Sequence, residues 1–113
     1  VCRVEEKEID AVTALSGSGP AYIFLMIESM VQAGIAQGLS PDIAHHLAVE
    51  TVAGAAELVK QTGESPAQLR ENVTSPNGTT FAALESFREN HFSDIVRKAM
   101  DAAHARSIEL GQS

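Results

Sequence analysis

The feature that most constrains the fold is the stretch of residues 21–37, which is apolar on almost every side when drawn on a helical wheel. Only Glu28, Ser29 and Gln32 make a narrow polar strip along it. A helix that is apolar all round must be covered on every side, and a chain of 113 residues has few other helices to cover it. The stretch therefore predicts a central helix that a second copy of the chain helps to cover.

Glycine, proline and serine mark the ends of the other predicted helices. Two helices are predicted to end at glycines, Gly38 and Gly63. Two helices are predicted to begin with a serine cap followed by proline, at Ser40-Pro41 and at Ser65-Pro66. Gln68 completes the Ser-x-x-Gln form of a capping box. No stretch shows the sustained two-residue alternation of a strand. The sequence thus predicts an all-α fold with about six helices.

Composition and charge limit the partners and the cellular compartment that are expected for the chain. The chain has 8 Lys and Arg against 15 Asp and Glu, a net charge of -7, which argues against nucleic acid or an anionic membrane as partner. Cys2 is the only cysteine, so an internal disulfide is excluded and a reducing compartment is expected. The longest apolar run, residues 21–27, is too short to span a bilayer. We expect a cytoplasmic protein without a secretory segment, and the first residue, Val1, suggests a fragment.

Residues 74–80 form a segment in which the helical pattern of the sequence stops. Pro76 removes a backbone donor, Asn77-Gly78 tolerates positive φ, and the pattern resumes at Phe81. Hydroxyl groups therefore lie at a helix start whose free amides and dipole favour a small anion. No Lys or Arg lies between Arg70 and Arg88 to assist. The simpler interpretation of these seven residues is a tight turn in which Thr79 caps the next helix.

Two other motifs give no site. The Gly-x-Gly in residues 16–20 resembles a dinucleotide-binding loop, but Tyr22 replaces the third glycine and a helical pattern precedes it. We interpret it as a joint between helices. His46 and Glu50 lie one helical turn apart and could form half of a metal site, but no third ligand has a matching spacing. No metal is predicted.

Two blocks resemble a known family. They are residues 10–22 and the region from residue 66 to residue 87 that includes residues 73–80. Together they resemble the C-terminal domain of pyrroline-5-carboxylate reductase, the enzyme of the last step of proline synthesis. The resemblance extends over residues 4–110. Asn77 stands where the family commonly has glycine, and Arg88 where it has an acidic or amide residue or Lys. Neither departure affects the expected chemistry.

The resemblance implies that the chain is one part of a larger enzyme. Family members carry an N-terminal Rossmann domain that binds NADPH or NADH, and residues 1–113 would form the single all-α domain that follows it. That domain forms an intertwined homodimer, here expected to involve residues 21–37 and the last helix. Whether dimers assemble further, and which cofactor is preferred, stay open. The isolated chain is expected to be inactive.

The resemblance also implies roles for five residues. The carboxylate of 1-pyrroline-5-carboxylate, or of the product L-proline, would lie on the Ser75 hydroxyl and the amides of Thr79 and Thr80. The Thr80 hydroxyl would meet the ring nitrogen and act in catalysis. Glu6 would be an acid near the substrate, and Asn72 would reach the cofactor. The residues alone support only the carboxylate site; for Glu6 they indicate no more than a favourable interaction with a helix dipole.

Two alternatives remain at this point. The chain could be a non-catalytic helical dimerisation module, or the helical domain of a different Rossmann-type dehydrogenase, since several share this two-part plan. The intact cluster of Ser75, Thr79 and Thr80 argues against both.

Overall fold

The computed structural model describes residues 4–112, and every regular element within that range is helical. A 3-10 turn (Glu6–Glu8) leads into α1 (Ile9–Val12), and a π-helical turn (Thr13–Gly17) joins α1 to α2. The remaining helices are α2 (Gly19–Ala36), α3 (Pro41–Thr62), α4 (Pro66–Asn72), α5 (Thr79–Glu89) and α6 (Phe92–Gly111). The predicted all-α fold is confirmed. Cys2 lies outside the described residues.

The predicted helix starts are confirmed by their caps. The Ser40 hydroxyl accepts from the Ile43 amide at 3.3 Å, and the Ser65 hydroxyl accepts from the Gln68 amide at 3.1 Å. The second half of the predicted capping box is wrong, because the Gln68 side chain donates to Asn72 Oδ1 at 2.9 Å. Residues four apart face each other on a helix, so Asn72 competes with the Ser65 backbone for that side chain.

The chain divides into two compact units, and the first comprises Val1–Ile23 and Phe87–Ser113. In this unit α1 and the π-helical turn pack against α6. The Ser107 hydroxyl donates to Asp10 Oδ1 at 2.7 Å, and the Tyr22 hydroxyl donates to the carbonyl of Ala14 at 2.6 Å. Ala14 is 2% exposed. Tyr22, which excluded a dinucleotide-binding loop, therefore ties α2 to the π-helical turn.

The second unit is Phe24–Ser86, and its α2 and α3 segments approach through small residues. Ala44 and Ala48 of α3 are buried, and they line a shallow groove together with Met30 and Gly34 of α2. A Cβ added to Gly34 would lie 3.4 Å from both the Ala44 Cβ and the Leu39 Cδ1. A Cβ at Gly34 would thus make ordinary van der Waals contact with both side chains, and a larger side chain would press against them.

Replacing Gly34 with valine should destabilise this pair of helices. The Cβ of valine would already contact Ala44 and Leu39, so its two further methyl groups should press against these side chains, and overpacking typically costs about 1–3 kcal/mol. Urea unfolding at one fixed protein concentration should show that loss in the free energy of unfolding. Gly111→Val is the matched control, since a Cβ at Gly111 meets nothing within 4 Å. An equal loss in both variants would contradict the proposed close packing.

The described residues bury very little apolar surface within one chain. Ala14, Ala44 and Ala48 are its buried apolar residues, whereas large apolar side chains on α2, α3, α5 and α6 are exposed. Phe24 and Leu25 of α2 are 67% and 63% exposed. The accessible surface of the chain is 8974 Å², while two separate compact units of these sizes would expose only about 7,200 Å². The expectation that α2 needs external cover is thus supported.

The helical run Glu6–Ala36 is long and apolar enough, by length and composition alone, to cross a membrane. None of its apolar window is buried within the chain. The core helix of a soluble protein and a signal sequence pass the same test, so the indication is weak. The π-helical turn also interrupts this run.

Candidate functional site

The site predicted at residues 74–80 is built on a tight turn between α4 and α5. The Ser75 carbonyl accepts from the Gly78 amide at 3.0 Å, which closes a four-residue turn. Asn77 has φ 60°, whereas proline fixes φ of Pro76 at a negative value. Positive φ at the third residue alone defines a type II turn, in which glycine or asparagine is required at that position. Asn77 therefore adopts the positive φ that the sequence was predicted to tolerate at this position.

Helix α5 begins directly after this turn. The Gly78 carbonyl accepts from the Ala82 amide at 3.0 Å, so Gly78 takes the cap position and Thr79 is the first helical residue. The simpler interpretation, with Thr79 as the cap, is therefore wrong. No acceptor within residues 4–112 engages the Thr79 and Thr80 amides. These amides lie at the positive end of the helix dipole, where an anion is favoured.

The hydroxyl groups of residues 74–80 differ in whether they form hydrogen bonds within the chain. The Thr74 hydroxyl donates to the Arg70 carbonyl at 2.6 Å, which ties the turn to the end of α4. In the part of the chain that the structure describes, the hydroxyls of Ser75, Thr79 and Thr80 have no such partner. Ser75 and Thr79 are exposed and Thr80 is half-buried. Three of the four hydroxyls thus remain available to a ligand.

Asn72 lies at the end of α4 with its amide group already oriented. Its Oδ1 accepts from Gln68 Nε2 at 2.9 Å, which leaves the NH₂ group of the exposed side chain to donate elsewhere. A side chain held in this way suits a ligand that presents acceptor atoms. The sequence did not predict this orientation, because it assigned Gln68 to the capping box of α4.

Glu6 lies in the other unit, in the 3-10 turn before α1. Its neighbour Glu8 accepts from the Glu5 amide through Oε1 at 2.7 Å, and thereby caps the turn. Glu6 is exposed and has no partner among residues 4–112. The carboxylate of Glu6 is thus left available by the local structure, whereas that of Glu8 is engaged in the cap. Asn72, Ser75, Thr79 and Thr80 all belong to one short segment of the second unit.

The chemistry of the segment is that of an anion site without cations. Hydroxyl and amide donors are available at the start of α5, and the sequence places no Lys or Arg between Arg70 and Arg88. Within residues 4–112, no three His, Cys, Asp or Glu side chains are grouped closely enough to hold a metal ion. A small carboxylate fits these donors, since hydrogen bonds to a charged acceptor are the stronger ones.

Comparison with known proteins agrees with the resemblance seen in the sequence. Residues 6–110 match the family model described as pyrroline-5-carboxylate reductase dimerisation. A pyrroline-5-carboxylate reductase of Pseudomonas aeruginosa is 50% identical over 108 residues, which are 96% of this chain and 40% of that protein. One from Arabidopsis thaliana is 48% identical over 113 residues, which are 100% of this chain and 41% of that protein.

Solved structures give the same result. The pyrroline carboxylate reductase of Plasmodium falciparum, with NADP bound, matches with a TM-score of 0.92 and 40% identity, over 96% of this chain and 44% of that one. A pyrroline-5-carboxylate reductase from Coxiella burnetii matches with a TM-score of 0.92 and 42% identity, over 96% of this chain and 40% of that one. The chain thus spans about 40% of the length of these relatives.

Proposed function

Because the chain belongs to the pyrroline-5-carboxylate reductase dimerisation family, we propose that it is the dimerisation and substrate-binding part of such a reductase. The enzyme would reduce 1-pyrroline-5-carboxylate to L-proline with NADPH or NADH, in the cytoplasm. The single observation that carries the proposal is the start of α5, where the Thr79 and Thr80 amides are free beside the Ser75 turn. The nicotinamide cofactor would be held mainly by a Rossmann domain of the whole enzyme.

A homodimer is the proposed unit of assembly. The surface left exposed exceeds that of two separate compact units by roughly 1,800 Å² per copy. Obligate homodimers bury about 2,000–5,000 Å² in total, so two copies that cover each other's excess fall within that range. The exposed apolar side chains of α2 and α6 are the expected contacts, and intertwined helices would supply the missing core. Dimers could in turn assemble into higher oligomers.

The substrate carboxylate is proposed to bind at the start of α5. The Ser75 hydroxyl and the amides of Thr79 and Thr80 would each donate to it, and the helix dipole would favour its negative charge. Each hydrogen bond to a charged group contributes about 1.5–3 kcal/mol, which makes a cationic side chain unnecessary. This agrees with a segment that lacks Lys and Arg.

The remaining residues are proposed to orient the reacting ring. The cofactor, when bound, supplies a hydride to the C=N carbon of the cyclic imine, which becomes C5 of L-proline. The Thr80 hydroxyl would lie at the ring nitrogen, where it can accept a hydrogen bond from the iminium or donate one to the product amine. Glu6 would lie near the substrate as an acid. Asn72, with its Oδ1 held by Gln68, would direct its NH₂ donors towards the cofactor.

Activity should require the nucleotide-binding domain. We expect the purified isolated chain to leave NADPH and NADH unoxidised in the presence of the imine, because hydride transfer needs a cofactor held against the reacting carbon. The full-length chain, tested in parallel by cofactor fluorescence, should form proline. Turnover by the isolated chain would contradict the proposal that a separate domain binds the cofactor. No turnover by the full-length chain would favour a non-catalytic dimerisation module instead.

A further inference from the structure

The turn that carries Ser75 leaves little room for a side chain at Gly78. A Cβ added to Gly78 would lie 3.3 Å from the Ser75 carbonyl oxygen and 3.4 Å from the Ser75 Cβ. The first distance is tight for a Cβ contact, so the Ser75 carbonyl would have to give way by a few tenths of an ångström, whereas the second is an ordinary van der Waals contact. Backbone conformation does not explain the glycine, because the glycines with positive φ are Gly38 and Gly63. The glycine at position 78 therefore avoids a tight contact with the Ser75 carbonyl.

Gly78 cannot easily move to make that space. Its amide donates to the Ser75 carbonyl, and its carbonyl accepts the first backbone hydrogen bond of α5 from Ala82, both at 3.0 Å. Ser75 is exposed and lies outside any helix. A methyl group at position 78 would therefore displace Ser75 by a few tenths of an ångström and leave α5 in place.

We propose that Gly78 is a positioning residue for the substrate carboxylate: its missing side chain lets Ser75 close the turn and holds the Ser75 hydroxyl beside the amides of Thr79 and Thr80. The inference rests on the proposed function, since it requires the Ser75 hydroxyl to donate to that carboxylate. Hydrogen bonds weaken with poor distance and angle, so a small displacement of Ser75 should weaken the contact. The carboxylate keeps its charge through the reaction, and the loss should therefore fall on KM.

The test is Gly78→Ala in the full-length reductase, in which this chain is joined to its nucleotide-binding domain. KM for the imine should rise about tenfold, with kcat within about twofold of the parent. When Ser75 is already alanine, Gly78→Ala should change KM by less than about twofold, because the hydroxyl it displaces is gone. Gly111→Ala controls for the substitution itself, since a Cβ there meets nothing within 4 Å.

The outcomes separate this inference from the proposed function. If Ser75→Ala raises KM and Gly78→Ala does not, the role of Gly78 is overturned and the carboxylate site stands. If Gly78→Ala raises KM equally with and without the Ser75 hydroxyl, the methyl group acts elsewhere and the inference again fails. If Ser75→Ala leaves KM unchanged, both proposals fail.

A second variant covers the case in which Gly78→Ala does not fold. Asn77→Ala should strain the same turn, because alanine tolerates the φ of 60° at this position poorly. It should raise KM about threefold, and this effect too should vanish when Ser75 is alanine. A rise in KM that persists without the Ser75 hydroxyl would overturn the inference.

Discussion

Replacing Phe24 with glutamate is expected to dissociate the dimer and, with it, to unfold the chain. Phe24 is 67% exposed on α2, so within one chain the substitution breaks little packing. In the proposed dimer the same position is covered, and glutamate there would be a buried charge without a partner. Such a charge costs about 3–5 kcal/mol, and a symmetric dimer contains it twice. The dissociation constant of the dimer should rise by at least about a thousandfold.

Sedimentation equilibrium with circular dichroism at several concentrations would measure this effect. The parent chain should be a dimer at micromolar concentration, and dilution of the Phe24→Glu variant should lower its helix content together with its mass. Gln32→Glu adds the same charge at an exposed polar position of α2 and should change neither quantity. A well-folded parent monomer, or equal behaviour of the two variants, would contradict the proposed dimer.

Met30→Glu should behave differently from Phe24→Glu, because Met30 is half-buried and lines the groove between α2 and α3. A charge at Met30 disturbs packing within one chain, so this variant should lose helix at every concentration. Position on the helical wheel alone does not distinguish the two residues, since residues 21–37 are apolar on almost every side. The structure separates them by what each side chain contacts.

The sequence predicted the helices well because their ends depend on local chemistry. Serine caps followed by proline begin α3 and α4, and Gly63 with φ 70° follows α3, as each residue's own backbone preferences indicate. The partner of the Gln68 side chain was predicted wrongly. Two partners lie within its reach, the Ser65 amide as a donor and Asn72 Oδ1 as an acceptor, and the choice between them depends on distances that a sequence pattern does not contain.

The sequence predicted some features of the candidate site from local chemistry and others only from the family resemblance. The start of α5 follows from Pro76 and the Asn77-Gly78 pair, which stop one helix and allow the next to begin with free amides. The close contact between Gly78 and Ser75 was missed, because it joins atoms across the turn. The roles of Glu6 and Asn72 came from the family resemblance alone. No local pattern of residues distinguishes a carboxylate or an amide that faces a ligand from one that faces solvent.

Thr80→Val in the full-length reductase should lower kcat/KM roughly tenfold to a hundredfold, with part of the loss in kcat. Valine keeps the shape of the half-buried side chain and the backbone amide, so the proposed carboxylate contact stays and only the hydroxyl is lost. As hydride reaches the imine carbon, the ring nitrogen changes from iminium towards amine. A hydrogen bond from the Thr80 hydroxyl that strengthens during this change stabilises the transition state more than the bound substrate.

Steady-state kinetics with the imine as varied substrate would separate this role from that of Ser75. Ser75→Ala should act mainly on KM, because the carboxylate does not change its charge during the reaction. Thr62→Val is the matched control: the Thr62 hydroxyl donates to the Leu58 carbonyl at 2.8 Å, so its loss should lower stability and leave kcat unchanged. If Thr80→Val leaves both constants within about twofold, Thr80 is only a structural residue of the first turn of α5 and the catalytic role proposed for it is wrong.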